Sequence, residues 1–328
     1  MPYDIITVGS ATIDVFVDTH SDKVMGEKKG HSLLTCYPLG SKILIKELKF
    51  TTGGGATNTA VSFSRLGLKA AYLGNIGNDS NGDKIIKELK KEKINFIGTK
   101  SNDLTNYSVI LDSVKHDRTI LAYKGASSKL DFNRLDKGKL KTKWFYFSSL
   151  KGKAFQTSVK LMRYAKKNNI KVAFNPSTYE VSEGMRKLKP LLDCTDVIIF
   201  NREEASILLK KRKQENIKKL LQGVRKLGPK IVVITEGKKG AYCSDGINMY
   251  FIKPRKVKVV ETTGAGDAFA STFIAGLAKG KDIEFSLRFA LANSESVIQH
   301  YGAKNKLLSW NNALREMKKC SKVRKTKL

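Results

Sequence analysis

Short apolar runs recur along the chain, at Asp4–Gly9, Ala70–Gly74, Trp144–Phe147, Val172–Phe174, Val197–Phe200 and Ile231–Ile234. Their apolar positions are continuous rather than alternating, as expected of strands whose side chains enter a buried layer on each face. Segments with helical spacing separate them; Phe269, Thr272, Phe273, Gly276 and Leu277 are one example. The pattern predicts an α/β fold with a doubly wound, mainly parallel central sheet between helices. The runs end on polar residues, at Asn75, Ser148-Ser149, Asn175, Asn201 and Thr235. In open parallel sheets the ligand crevice lies outside the carboxyl ends of the strands, so these residues are predicted to line one edge. Some of them are expected to be ordinary helix N-caps.

Two stretches depart from this rhythm. Over residues 15–52 the apolar positions thin to Val15, Val17, Leu33-Leu34 and Ile43-Leu44-Ile45, the form of short exposed strands. Over residues 106–126, Tyr107–Leu111 and Arg118–Tyr123 flank a polar turn at Ser113–Asp117, a hairpin by spacing. Together they predict a small β lid, able to exclude water from a site beneath it.

Two Gly-rich stretches carry the candidate chemistry. In Val257–Leu277, Val257, Val259 and Glu261 read as a strand end, and Thr262-Thr-Gly-Ala-Gly-Asp-Ala-Phe269 joins it to a helix. Gly264, Ala265 and Gly266 let successive N–H groups face one point at the positive end of the helix, an anion site. Asp267 sits on its rim. A carboxylate there suits a base that takes a proton from a hydroxyl attacking a phosphate, and it equally suits an ordinary first-turn carboxylate. The second stretch, Thr51–Ala60, contains Gly53, Gly54, Gly55 and Asn58 and leads into a helix. Asp14, just beyond the first strand, is a candidate for hydrogen-bonding a polyol, or a turn cap.

The two Gly-rich stretches, in this order and about 200 residues apart, resemble the N- and C-terminal signatures of the ribokinase (PfkB) family of sugar and nucleoside kinases. The resemblance runs from Gly9 to Ala303 and implies a ribokinase-like three-layer α/β/α sandwich with a small β lid. One kinase domain over residues 1–320 is expected, followed by a frayed basic tail, 321–328. It further implies phosphotransfer from ATP with Mg²⁺ to a primary hydroxyl, with Asp267 as the base and the Gly264–Gly266 amides as the hole for developing charge. Asp14, Gly53, Gly54 and Asn58 would contact the acceptor. Asn201-Arg-Glu-Glu204 is similar to the family's Asn-x-x-Glu motif, in which Glu204 would act on Mg²⁺ through water; a plain capping box reads the same way. Thr235-Glu-Gly-Lys-Lys-Gly240 is similar to its nucleotide turn, which implies Thr235, Gly237 and Gly240 near the nucleotide. Asn293 is assigned to the adenine region, against a solvent-facing asparagine. The family usually has Asp at Glu261, near which several members hold a monovalent cation, so that ion stays open.

Composition adds limits. With 328 residues and 41% hydrophobic content the chain can bury a large core. Cys36, Cys194, Cys243 and Cys320 lie far apart, which predicts neither a disulfide framework nor a zinc site and suits a reducing cytoplasm. No run approaches the length that spans a bilayer. The net charge of +31 raises the possibility of a polyanion partner. Its lysines are scattered, as in 84–93, 137–143, 166–171 and 210–219, without interleaved aromatics, so only weak, salt-sensitive adsorption to nucleic acid is expected. The reading is an ATP-dependent sugar or nucleoside kinase, with a homodimer through the lid as a further expectation. Two alternatives stand. One is a sugar-phosphate kinase, since Lys42, Arg118 and Lys124 in the lid segments could hold a second phosphate. The other is a non-catalytic polyanion-binding protein on a kinase fold.

Overall fold

The structure, a computed structural model, describes residues 2–19, 25–29, 32–112, 118–212 and 215–328. A ten-stranded sheet forms its middle layer. Six neighbouring strands run parallel in the spatial order Ile231–Thr235, Val197–Asn201, Lys171–Asn175, Thr142–Ser148, Tyr3–Val8 and Ala70–Leu73, and the short Asn95–Phe96 extends them. Alternate residues of these strands belong to two separate cores. Ile5, Tyr72, Tyr146, Val197, Ile199 and Val233 pack against the Gly55–Arg65, Ala265–Ala278 and Ile283–Val297 helices. Ile6, Phe145, Phe147, Phe174, Ile198 and Val232 pack on the other face, against the Lys153–Lys167 and Ile217–Arg225 helices. Apolar residues on both faces are what made the runs continuous in sequence. Among the described residues no helix is long and apolar enough to cross a membrane.

A second sheet has the order Arg118–Tyr123, Asn106–Asp112, Thr12–Asp18, Glu47–Gly53, and it contains parts of both segments expected to form a lid. Its register aligns Thr51, Asp14, Ser108 and Ala122 in one row. The hairpin joining its first two strands is present, while the expected turn at Ser113–Asp117 lies outside the described residues.

Three local expectations fail. Ile43–Ile45 is not a strand; Leu44 and Ile45 are exposed and pairing begins at Glu47, because Lys46 N–H is the first to find a partner, the Asp18 carbonyl. Val257–Glu261 is irregular as well. Among the described residues no strand pairs with it, and Val260 and Glu261 instead donate to the Ile298 carbonyl. The tail is not frayed: Arg324–Lys327 pairs antiparallel with Asn248–Ile252 and completes the sheet edge. Its side chains are all exposed, so the ladder of main-chain bonds orders it without any apolar signal in the sequence.

Candidate active site

The carboxyl ends of the parallel strands converge as expected. Ser148, Asn175, Asn201 and Thr235 line one crevice of about 340 Å³, together with Ser10, Gly55, Ser149, Ser177, Glu204, Gly266 and Asp267. Asn75, the fifth polar strand end, is absent from this lining. It is buried, and its amide donates to Ser101 Oγ and the Ala126 carbonyl.

Local backbone geometry brings the two Gly-rich stretches together here. Gly264 is the N-cap of the Ala265–Ala278 helix with φ of 78°, and a Cβ at this position would lie 2.5 Å from Ala303 Cα. Only glycine meets both conditions. Gly54 caps the Gly55–Arg65 helix with φ of 99°, and a Cβ there would lie 2.5 Å from the Ser10 carbonyl oxygen. Gly53 is pressed against Asp14, whose Oδ2 would be 1.8 Å from an added Cβ. Gly266 faces open space, leaving the first turn of its helix accessible to an anion.

Asp267 and Asn58 meet across this junction. Asn58 Nδ2 donates to Asp267 Oδ2 at 2.8 Å, and Asn58 Oδ1 is buried without a partner among the described residues. Asp267 lines the crevice and is partly buried. Burial pushes its carboxyl up to about 6; the Asn58 bond and the Lys304 charge oppose that rise, and Asp14 adds to it. Asp14, 9% exposed, is also raised by burial, against its bond from Ser108 and the charges of Lys304 and Lys124.

Elsewhere in the crevice lining, Asn201 and Glu204 form a reciprocal capping box: Asn201 N–H donates to Glu204 Oε2 at 2.9 Å, and Glu204 N–H to Asn201 Oδ1 at 2.8 Å. Thr178 Oγ1 donates to the other Glu204 oxygen. Thr235 donates to the Phe200 carbonyl, and Gly237 and Gly240 follow in the turn beyond it. Asn293 is neither solvent-facing nor part of the crevice lining. It is fully buried, with Nδ2 donating to Thr272 Oγ1 and Oδ1 accepting from Leu308 N–H, so it ties the 298–308 loop to the Ala265–Ala278 helix. Of the cations considered in the lid segments, Lys124 brings its charge within reach of Asp14. Arg118 lies four residues along its strand from the Asp14 row, roughly 13 Å away; Lys42 lies in irregular chain.

Two charged residues within electrostatic reach of Asp267 and Glu204 carried no expectation. Lys304, 8% exposed, sets Nζ 2.7 Å from Glu88 Oε2 and 2.9 Å from Thr52 Oγ1, and its charge reaches Asp14 and Asp267. A lone lysine among so many gives no sequence signal. Glu180 accepts from Leu150 N–H at 3.0 Å and from Ser177 N–H, and burial pushes its carboxyl up to about 7, with Glu204 adding to the rise. Here a signal exists, because Ser177-x-x-Glu180 after a strand repeats the spacing of Asn201-x-x-Glu204.

Comparison with known proteins agrees with this geometry. Residues 4–310 match the profile of the pfkB family carbohydrate kinases. The chain is 27% identical over 311 residues to the ATP-dependent 6-phosphofructokinase of Thermoanaerobacterium thermosaccharolyticum, covering 92% of this chain and 89% of that one. It is 30% identical over 319 residues to the 5-dehydro-2-deoxygluconokinase of Clostridium perfringens, covering 90% and 87%. The structure of Arabidopsis thaliana ribokinase complexed with ribose and ATP superposes with a TM-score of 0.82 at 22% identity, covering 97% of this chain and 99% of that one. The superposition gives the ribokinase fold, and the family match gives a carbohydrate kinase. The chain belongs to the pfkB family of carbohydrate kinases.

Proposed function

We propose that the enzyme transfers the γ-phosphoryl group of ATP to a primary hydroxyl of a sugar derivative or nucleoside, with Asp267 as the general base. The observation that carries this is the Asp267 carboxylate at the mouth of the crevice, held by Asn58 beside an open helix N-terminus and within electrostatic reach of Asp14. In this reading the acceptor lies between Asp14 and Asp267, and the unpaired Asn58 Oδ1 accepts from one of its hydroxyls. The reacting hydroxyl oxygen attacks the γ-phosphorus as its proton passes to Asp267. The bond from that phosphorus to the bridging oxygen breaks, and ADP leaves. The Gly264–Gly266 amides receive the charge that develops on the transferred group.

Asn201, Thr235, Gly237 and Gly240 are assigned to the nucleotide side, and the ATP bound to Arabidopsis ribokinase supports that donor. Among the described residues no cluster of three His, Cys, Asp or Glu could cage a metal. Both Glu204 oxygens are already hydrogen-bonded, so Glu204 and Asn201 suit a hydrated Mg²⁺ brought in on the nucleotide phosphates. Such an ion would neutralise charge on the β- and γ-phosphates. Asn293, with both polar ends occupied, is assigned a role in shaping the 298–308 loop. The four-stranded sheet is assigned as the lid, and its exposed Leu48, Phe50, Leu121 and Tyr123 support pairing with a second copy.

The direct test is a phosphotransfer screen with ATP and Mg²⁺ over sugars, sugar phosphates, sugar acids and nucleosides. ADP formation that depends on an acceptor supports the reading, and ADP formation indifferent to every acceptor overturns it.

A further inference from the structure

The end of the four-stranded sheet that meets the crevice carries groups that phosphoryl transfer to a neutral sugar leaves unused. Its register puts Thr12, Asn106 and the position of Lys124 next to the row of Asp14, Ser108 and Ala122, and Lys124 follows Ala122 by two residues. Lys124 lies one residue past the end of the Arg118–Tyr123 strand, and its charge reaches Asp14. Gly125 pins the chain just beyond it, since a Cβ there would lie 2.1 Å from the Leu104 carbonyl oxygen.

A second lysine approaches from the main sheet. Lys151 comes two residues after the crevice-lining Ser149, and its Nζ lies 3.0 Å from the centroid of the ring of Tyr179, itself two residues beyond the crevice-lining Ser177. The charge of Lys151 reaches Lys124. Together with burial this holds the Lys124 ammonium below the usual lysine range, although the side chain still meets solvent, and Asp14 opposes the effect only in part. Among the described residues neither ammonium has a carboxylate within ion-pair distance.

The third group is Asn106. It is 1% exposed, its Oδ1 accepts from Ser127 N–H at 3.2 Å, and its Nδ2 has no partner among the described residues. An unsatisfied buried amide N–H is costly unless a ligand completes it. Lys124 and the unused Asn106 donor thus lie by Asp14, and Lys151, whose charge reaches Lys124, has the Glu183 carboxylate within its own electrostatic reach.

We propose that Lys124, Lys151 and the Asn106 amide form an anion subsite of the acceptor pocket, so that the natural acceptor is an anionic sugar derivative, a sugar phosphate or a sugar acid. The inference rests on the kinase reading above and narrows its substrate class. A bound phosphate or carboxylate would relieve the repulsion between the lysines and accept from Asn106, leaving Asp14 to orient the hydroxyls between this subsite and Asp267.

The test compares neutral sugars with their phosphorylated and carboxylated counterparts, using the wild-type enzyme, Lys124→Gln, Lys151→Gln and Lys124→Glu. In the wild type kcat/KM should favour the anionic member of a pair by at least about 10-fold, the usual worth of one charge-assisted hydrogen bond. Either glutamine variant should lower that ratio about 10-fold through the acceptor KM, and Lys124→Glu should invert it. A wild-type preference for the neutral member overturns the proposal. So does a loss that falls on the ATP KM, which would assign the lysines to the donor phosphates. A ratio unchanged in Lys124→Glu, shown to be folded by its thermal transition, overturns it as well. Failure of the kinase reading is recognised separately, as the absence of acceptor-dependent ADP formation in the wild type.

Discussion

Asn58 Nδ2 and Asp267 Oδ2 lie 2.8 Å apart although 209 residues separate them in the chain. A second bond, Ser271 Oγ to Ser62 Oγ at 2.7 Å, repeats the link one turn further along the same two helices. The two Gly-rich segments are thus parts of one rigid unit, and Asn58 limits how far burial can protonate Asp267.

Asp267→Asn preserves size and a capping oxygen but cannot take a proton at neutral pH. With the best acceptor, kcat should fall by about 10²- to 10⁴-fold while ATP affinity changes only a few-fold, because the amides of the first turn remain. Steady-state rates and nucleotide titration of the folded variant check this, and a rate near that of the wild type removes Asp267 as the base.

Activity and stability should respond to pH in opposite directions at this residue. As the proposed base Asp267 would work as the carboxylate, so kcat/KM should rise with pH through about 6 and then level off. Its folded-state pKa lies above the ordinary value, so its contribution to stability is full below the unfolded value of 3.8 and is lost as pH rises through about 6; Glu180, near 7, acts in the same sense. Asp79, Glu92 and Asp245 are shifted down and act oppositely, so the informative quantity is the difference between wild type and variant. Between pH 5 and 8, Asp267→Asn should gain Tm relative to the wild type. A difference that stays constant across this range contradicts the assignment.

Lys304→Met should affect both folding and chemistry. It leaves Glu88 and Thr52 without their buried cation, at about 2–4 kcal/mol, the lower part of this range being favoured by the partial exposure of Glu88. Because the Lys304 charge holds Asp267 down, its loss should also move the acidic limb of the rate profile to higher pH. Denaturant unfolding and a pH–rate profile measure the two effects. Adding Glu88→Gln should recover part of the stability and none of the shift in the profile.

Much of this site could be read from the chain because its parts are local patterns. A strand covered on both faces must be apolar throughout, and a helix start that approaches a ligand needs glycine, so the central strands, Gly54 and Gly264 announce themselves. Lys304 does not, since its role depends on Glu88, Thr52 and two carboxylates brought near it only by folding. Lys151 is silent for the same reason, because Tyr179 is a neighbour in space and not in sequence. The Val257–Glu261 segment shows the converse: it has strand-like alternation and, among the described residues, no strand that pairs with it.

The strand Arg324–Lys327 gives the large positive charge a local use. Without it, Asn248–Ile252 would end the sheet with a free row of main-chain donors and acceptors, the usual starting point for edge-to-edge growth between molecules. The strand that fills that row is itself edged with Arg324, Lys325 and Lys327, all exposed. A second copy approaching this edge meets its own charge, so the sheet ends in a surface that repels its like and resists fibrillation at its open side.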